Sequence, residues 1–194
     1  AVGDCTGHGV PGSFLTVLGI TYLQDIVKRR ETDNPGEILN LLRQRIKEIF
    51  RSFGSNNRNG LDIALCSINT KTNVLQYAGA NNPLYIIRNS ELIEYSPTRS
   101  PIGFYPVEKA FKNNVISLEN DDLIYIFSDG FQDQFGGDNN AKFTPKRFRK
   151  MLLDIHKMPL PKQKEIITDT LRNWQNGIAQ LDDITIMALK WSIT

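Results

Sequence analysis

Three places in the chain put a carboxylate where a metal ion or a phosphoryl group could use it. Asp4 lies in Gly3-Asp4-Cys5-Thr6-Gly7-His8-Gly9, Asp129 in Phe127-Ser128-Asp129-Gly130, and Asp182 with Asp183 in Leu181-Asp182-Asp183-Ile184-Thr185. Two of the three abut an apolar run. Leu123-Ile124-Tyr125-Ile126-Phe127 ends just before Ser128, and Ile184-Thr185-Ile186-Met187 follows Asp183. A carboxylate at a strand end sits on a rigid element, which a metal site needs. Several carboxylates that converge without Lys or Arg between them repel one another. A divalent cation relieves that repulsion, and ligation by oxygen alone suits Mg²⁺ or Mn²⁺ better than zinc. Taken singly each spot is weak, because Asp-Gly is most often a turn and Asp-Asp before a strand is commonly solvated charge. Their combination and order carry the weight.

Gly7, Gly9 and Gly12 have two readings. They permit tight backbone paths and close helix–sheet packing. They also leave room, with exposed N–H groups at a helix start, for a phosphorylated ligand to approach. No Gly-Lys-Ser/Thr follows, so the loop is not a Walker loop, and a nucleotide-binding module lacks its lysine. The two cysteines, Cys5 and Cys66, form no Cys-x-x-Cys pair and read as reduced thiols of a cytosolic protein. Cys5 reads as a small packed side chain, with a redox-sensitive thiol as the alternative. His156, beside Lys157, reads as a surface or boundary residue.

Helices and strands must position these residues. A first helix is expected from about residue 14, with Phe14, Leu15, Leu18, Tyr22, Leu23, Ile26 and Val27 on one broad face and Lys28-Arg29-Arg30 closing it. For a second helix Asn34 is the cap, Pro35 the first helical residue and Glu37 the capping-box acid. Its apolar stripe is Ile38, Leu42, Ile46, Ile49, Phe50 and Phe53, and 55–60 is a polar turn. The period then changes. Strands are expected at 61–68, 74–78, 84–88, 92–95, 107–116 and 123–127, with a hairpin through Asn89-Ser90. Helices follow at 145–155, with Phe148, Leu152 and Ile155 inward, and at 161–174, with Ile166, Ile167, Leu171 and Trp174 inward. Gly177 stops the latter, and 184–191 is a last strand. Runs of strands and runs of helices argue α+β layers rather than a parallel sheet. No repeat, low-complexity segment or dividing linker is visible, so 1–194 reads as one domain.

Across nearly the whole chain these features resemble the SpoIIE-like branch of the PPM-type metal-dependent serine/threonine phosphatases. Residues 3–12 resemble the family's Asp-x-x-Gly-His-Gly-x-x-Ala/Gly loop. Ala78-Gly79-Ala80-Asn81-Asn82-Pro83 resembles its Ala-Gly-x-Asn-x-Pro turn, and Ser100-Pro101-Ile102-Gly103 its Pro-hydrophobic-Gly segment. Ser128-Asp129-Gly130 and Asp182-Asp183-Ile184-Thr185 resemble its last two acidic motifs. The resemblance implies a four-layer αββα sandwich of two antiparallel sheets flanked by helix pairs. It implies two Mn²⁺ or Mg²⁺ ions, with a bridging water that attacks a phosphoserine or phosphothreonine. Asp4, the Cys5 carbonyl, Asp129 and Asp182 would be ligands, Asp183 would lie just outside them, and Gly7 and Gly9 would border the substrate. His8 reads as structural, with a general acid as the alternative.

The same resemblance implies a phosphorylated protein substrate, an anti-anti-sigma factor by analogy, and an upstream sensor or dimerisation domain. A homodimer is a further expectation. The family's upstream Gly-Asp-Phe/Tyr motif has no counterpart before Asp4. The chain therefore reads as a fragment lacking its first strands, with weak activity and an incomplete second metal site. A competing reading is a non-catalytic pseudophosphatase that binds a phosphoprotein without turnover. Composition is that of a soluble domain, with 40% apolar and 23% charged residues. The near-balance of 23 Lys and Arg against 21 Asp and Glu gives no footprint for nucleic acid. No apolar run of about 20 residues and no signal peptide stand out, and the location is read as cytoplasmic, with membrane anchoring of the parent protein through an upstream region as the alternative.

Overall fold

The change from helical to alternating patterning falls near residue 60, as the sequence predicts. The computed structural model describes residues 1–7, 9–52 and 60–193, so His8, Phe53 and most of the 55–60 turn lie outside the described residues. In chain order the elements are β1 (Val2–Cys5), α1 (Val10–Lys28), α2 (Pro35–Ser52), β2 (Gly60–Asn69), β3 (Val74–Ala80), β4 (Leu84–Arg88), β5 (Glu91–Tyr95), β6 (Ile102–Gly103), β7 (Asn114–Ser117), β8 (Leu123–Phe127), α3 (Gly130–Asp133), β9 (Phe135–Gly136), β10 (Ala141–Lys142), α4 (Pro145–Ile155), α5 (Leu160–Gln175) and β11 (Ile186–Lys190). They fall into two units, Ala1–Leu84 with Tyr95–Leu118 and Tyr85–Glu94 with Glu119–Thr194.

The first unit holds an antiparallel sheet in the order β1-β2-β3-β7, with β6 also paired to β2. Its core joins Leu15 and Ile26 of α1 and Ile38, Leu39, Leu42 and Ile46 of α2 to Leu61, Ile63, Leu65, Ala78 and Ala80 of the sheet. Asn34 caps α2 as expected. Its Oδ1 accepts from the N–H groups of Gly36 (2.9 Å) and Glu37 (3.2 Å). The capping box does not close, because Glu37 takes the Thr32 hydroxyl instead and the Asn34 N–H donates to Thr32 Oγ1.

Two expectations are corrected here. The 107–116 strand shrinks to β7. The backbone before it is satisfied by side chains of α2, not by a ladder: Arg43 Nη2 donates to the Lys109 carbonyl (2.7 Å), and the Phe111 N–H donates to Asn40 Oδ1 (3.2 Å). Helix α1 starts at Val10, about four residues early, because Pro11 suits a first turn. It buries Gly12, Leu15, Gly19 and Ile26, while Phe14 and Val27 lie exposed with Val10, Val17 and Ile20. A helix apolar on all sides gives no periodicity from which to read its inner face. By length and composition alone, with a mean hydropathy of 1.3, α1 is long and apolar enough to cross a membrane. A helix packed in a core meets the same criterion.

The second unit holds a sheet in the order β11-β8-β4-β5. Asn89 and Ser90 both take positive φ (51° and 65°), as the tight turn of the β4–β5 hairpin demands. Strand β11 pairs antiparallel with β8 from Ile186 opposite Phe127 to Lys190 opposite Leu123. It is shorter than the expected 184–191, because Ile184 and Thr185 turn toward Ser128. Rings stack through the core from Tyr85 to Phe127 to Phe148 to Phe131 to Phe143 to Trp174, each 4.8–5.2 Å from the next. On α4 Phe148, Leu152 and Ile155 are buried as expected. On α5 Ile167, Leu171 and Trp174 pack against the core, while Gln163 is the buried residue, with Tyr125 Oη donating to its Oε1.

Leu42 of α2 is fully buried in the first unit's core. Leu42→Ala is expected to cost about 2–5 kcal/mol, read as a lower urea midpoint at unchanged slope.

Candidate metal centre

In the first unit, β1 presents Asp4 and Cys5. Asp4 stands directly opposite Asp62 of β2, an arrangement of like charges that a strand pair ordinarily avoids. Asp62 Oδ1 accepts from Asn81 Nδ2 at 2.8 Å, and Asn81 sits at φ 59° in the Ala-Gly-x-Asn-x-Pro turn. The Thr6 N–H donates to the Gly60 carbonyl at 2.8 Å. The Gly60 N–H returns a bond to Thr6 Oγ1 (2.6 Å), and Cys5, opposite Leu61, falls in the alternate, non-bonded position of the ladder. Its backbone carbonyl therefore points away from β2, on the outer side of a strand that ends the sheet order. The Cys5 thiol is pushed up, by burial first and then by Asp4 and Asp62, against a lowering hydrogen bond to Thr16. It is a packed, protonated side chain rather than a reactive one. Gly7 and Gly9 take φ of 97° and 71°, and Gly9 caps α1.

In the second unit, Asp129 follows β8 and begins α3. Its pKa is raised by burial, then by Asp182 and Asp133, with Lys142 opposing. Lys142 is itself bonded to Asp133 at 2.8 Å, so its charge is already shared. Asp129 retains solvent exposure, so solvent screening tempers the effect. The Ser128 hydroxyl keeps the loop of Asp182 near. Ser128 Oγ donates to the Asp183 carbonyl (2.8 Å), and the Thr185 N–H donates back to Ser128 Oγ (3.0 Å). Gly130 closes the other side: a Cβ there would lie 2.4 Å from the Asp183 carbonyl oxygen. Asp182 Oδ1 accepts from the Asp183 N–H at 2.8 Å, and Gln180 Nε2 donates to the Asp182 carbonyl at 2.8 Å.

Each unit thus carries a crowded set of oxygen donors, which suits a hard divalent cation. The sequence reading missed Asp62, Ser128 and Gly130. An Asp as the second residue of a run taken as a buried strand was the signal for Asp62. The roles of Ser128 and Gly130 depend on contacts more than 50 residues away.

The model of the family described as "Stage II sporulation protein E (SpoIIE)" matches residues 1–192. A comparison with curated protein sequences returned no match. Among solved structures, the SiaA-PP2C domain of Pseudomonas aeruginosa is 30% identical with a TM-score of 0.88, over 98% of this chain and 74% of that one. The PP2C phosphatase domain of SpoIIE from Bacillus subtilis, solved with a fragment of its regulatory domain, is 15% identical with a TM-score of 0.71, over 97% of this chain and 53% of that one. Two others were solved with metals. The catalytic domain of the serine/threonine phosphatase PstP in complex with two manganese ions is 14% identical (TM-score 0.66, 96% and 84% covered). RsbX in complex with magnesium is 18% identical (TM-score 0.63, 97% and 78% covered). The mixed α+β architecture with its antiparallel sheets matches the fold of these domains.

Asp129 supplies a test without metal. Its folded-state pKa lies above the ordinary carboxylate value, so the folded chain holds this proton more tightly than the unfolded chain. The contribution favours folding at acid pH and is lost as pH rises through the raised value. In chelator, Asp129→Asn is expected to raise Tm by about 1–2 °C at pH 7 and to leave it unchanged near pH 3.5. A lower Tm at pH 7 would contradict the crowding.

Proposed function

Because the chain belongs to the SpoIIE family of PP2C-type phosphatase domains, we propose that it hydrolyses phosphoserine or phosphothreonine on a partner protein, using two divalent cations, Mn²⁺ or Mg²⁺. The observation that carries this reading is the enforced proximity of Asp129 and Asp182, two carboxylates whose cationic neighbour Lys142 is already bonded to Asp133. Asp4, the Cys5 carbonyl, Asp129 and Asp182 hold the metals in this reading. Asp183 acts through its backbone, as the partner of Ser128 and Gly130. Cations bound there supply the charge that acidifies a water and offsets the negative charge growing on the phosphoryl oxygens.

The protein's share is positioning and electrostatics, which is most of what phosphoryl transfer asks of it. Asp4 and Asp62 keep the β1 end negative, so an unmetallated site repels a phosphate. The outward Cys5 carbonyl adds a neutral donor that does not increase this repulsion. Gly7 and Gly9 keep the approach narrow in side-chain bulk. The substrate is a phosphoprotein in bacterial signalling, with an anti-anti-sigma factor the analogue that the family offers, and the setting is cytoplasmic. An upstream sensor or dimerisation domain belongs to the same proposal.

The test is phosphate release from a phosphoserine peptide and from p-nitrophenyl phosphate with Mn²⁺ or Mg²⁺. Release is expected with metal and is abolished by chelator. Asp129→Asn and Asp182→Asn are each expected to lower kcat/KM by about 100-fold or more, on the order of 2.7 kcal/mol. Phosphopeptide binding without release at saturating Mn²⁺ would instead support a non-catalytic binding module.

A further inference from the structure

The segment Phe131-Gln132-Asp133-Gln134-Phe135-Gly136-Gly137 follows the Asp129 motif directly, and the chemistry above gives it no part. Its central residue, Gln134, is 1% exposed. Gln134 Nε2 donates to two carbonyls, its neighbour Phe135 (3.0 Å) and the distant Ala179 (3.0 Å). The Gln134 backbone carbonyl accepts from Trp174 Nε1 (3.0 Å) and from the Phe143 N–H (3.0 Å). The Gly137 N–H donates to the Trp174 carbonyl (2.8 Å), and a Cβ on Gly136 would lie 1.9 Å from that oxygen. Only glycine lets the β9–β10 ribbon close on the end of α5. Gln134 is thus fixed on all sides before it reaches out to Ala179.

The chain leaves α5 through Asn176, at φ 44°, and the Ile178 N–H turns back to the Gln175 carbonyl (2.8 Å). Ala179 follows, and three residues later comes Asp182. Downstream, Ser128 holds the Asp183 carbonyl. The loop carrying Asp182 is therefore tied at both ends to the segment carrying Asp129, by Ser128 on one side and Gln134 on the other. Gln134 Oε1 has no partner among the described residues. A buried amide with an acceptor left over is a poor stabiliser compared with an apolar side chain of its size. What distinguishes it from one is its N–H grip on Ala179.

We propose that Gln134 is a positioning residue: by gripping the Ala179 carbonyl it fixes the loop that presents Asp182 beside Asp129, and so sets the affinity for the divalent cation. Trp174 supports it by orienting the Gln134 backbone. This rests on the metal-holding role given to Asp182 in the preceding subsection. Groups behind metal ligands typically change affinity by about 10–100-fold when removed.

The test is Mn²⁺ titration of the full chain, followed by electron paramagnetic resonance of free Mn²⁺, for wild type, Gln134→Met, Trp174→Phe, Asp182→Asn and Leu152→Ala. Gln134→Met keeps the volume and loses the donors. Trp174→Phe keeps a ring and loses its N–H. Leu152→Ala is a core control that weakens the fold elsewhere in the same unit. Gln134→Met is expected to raise the Mn²⁺ Kd about tenfold and Trp174→Phe by a smaller factor, with Leu152→Ala unchanged. Amide hydrogen exchange at 180–183 in the metal-free protein is expected to speed up in Gln134→Met and not in Leu152→Ala. Equal Kd and equal exchange in Gln134→Met and wild type, with Asp182→Asn still impaired, overturns the proposal alone. Unimpaired binding in Asp182→Asn, or no binding by wild type, overturns the metal reading and this proposal together.

Discussion

Asp129 and Asp182 are held close by the hydroxyl of Ser128 and the tight approach of Gly130, against their own repulsion. Ser128 sits between two strands and bonds to both sides of the β8–β11 junction, through the Asp183 carbonyl and the Thr185 N–H. Gly130 lets α3 press against that same carbonyl. These contacts involve uncharged groups, so they persist whether or not a cation is present. A site of this kind is preorganised. The work of bringing like charges together is done during folding, by the aromatic core and the sheet beneath. The other acidic end follows the same logic. The β1–β2 register sets Asp4 against Asp62, and seven antiparallel pairs between β2 and β3 anchor that register from the far side.

Local chemistry was the legible part of the sequence. Asn34 caps α2, Asn89-Ser90 makes the hairpin, and β8 and α4 begin and end where their residue types say, because each decision is taken within a few residues. The candidate acids Asp4, Asp129 and Asp182 stood out as well, since each sits in a short sequence motif in or near a strand. What could not be read depends on distant partners. The 107–116 stretch has strand-like residues, yet Arg43 and Asn40 claim its backbone from about 70 residues away. Phe14 and Val27 looked inward because α1 is apolar on every side and its pattern contains no direction. Asp62 was hidden by the apolar run around it.

Glutamine in a buried position illustrates the same limit from the functional side. Gln163 and Gln134 are both about 1% exposed. Gln163 accepts from Tyr125 Oη and donates to the His156 and Met158 carbonyls, so its amide is fully used in joining α4, α5 and the sheet. Stability accounts for it. Gln134 is different, because one end of its amide is spent on the loop that carries an acid and the other end is left over. Two residues of one type and equal burial thus part ways on hydrogen bonding alone.

The crowding of carboxylates around Asp129 is also a local cost to the fold. Burial and acidic neighbours both push Asp129 toward its neutral form, while a ligand role requires the charged one. Asp129 lies between rigid neighbours on each side. Ser128 and Gly130 are buried, and Phe131 joins the ring stack two residues on. The flanks of Asp129 are thus fixed, while its own carboxylate keeps solvent exposure, and water screens part of the repulsion from Asp182 and Asp133. In the proposed reading, a divalent ion held by Asp129 and Asp182 offsets the repulsion that remains. If Asp129 holds a metal as proposed, the packed aromatic core of the second unit is what keeps its flanks in place when no cation compensates the charge.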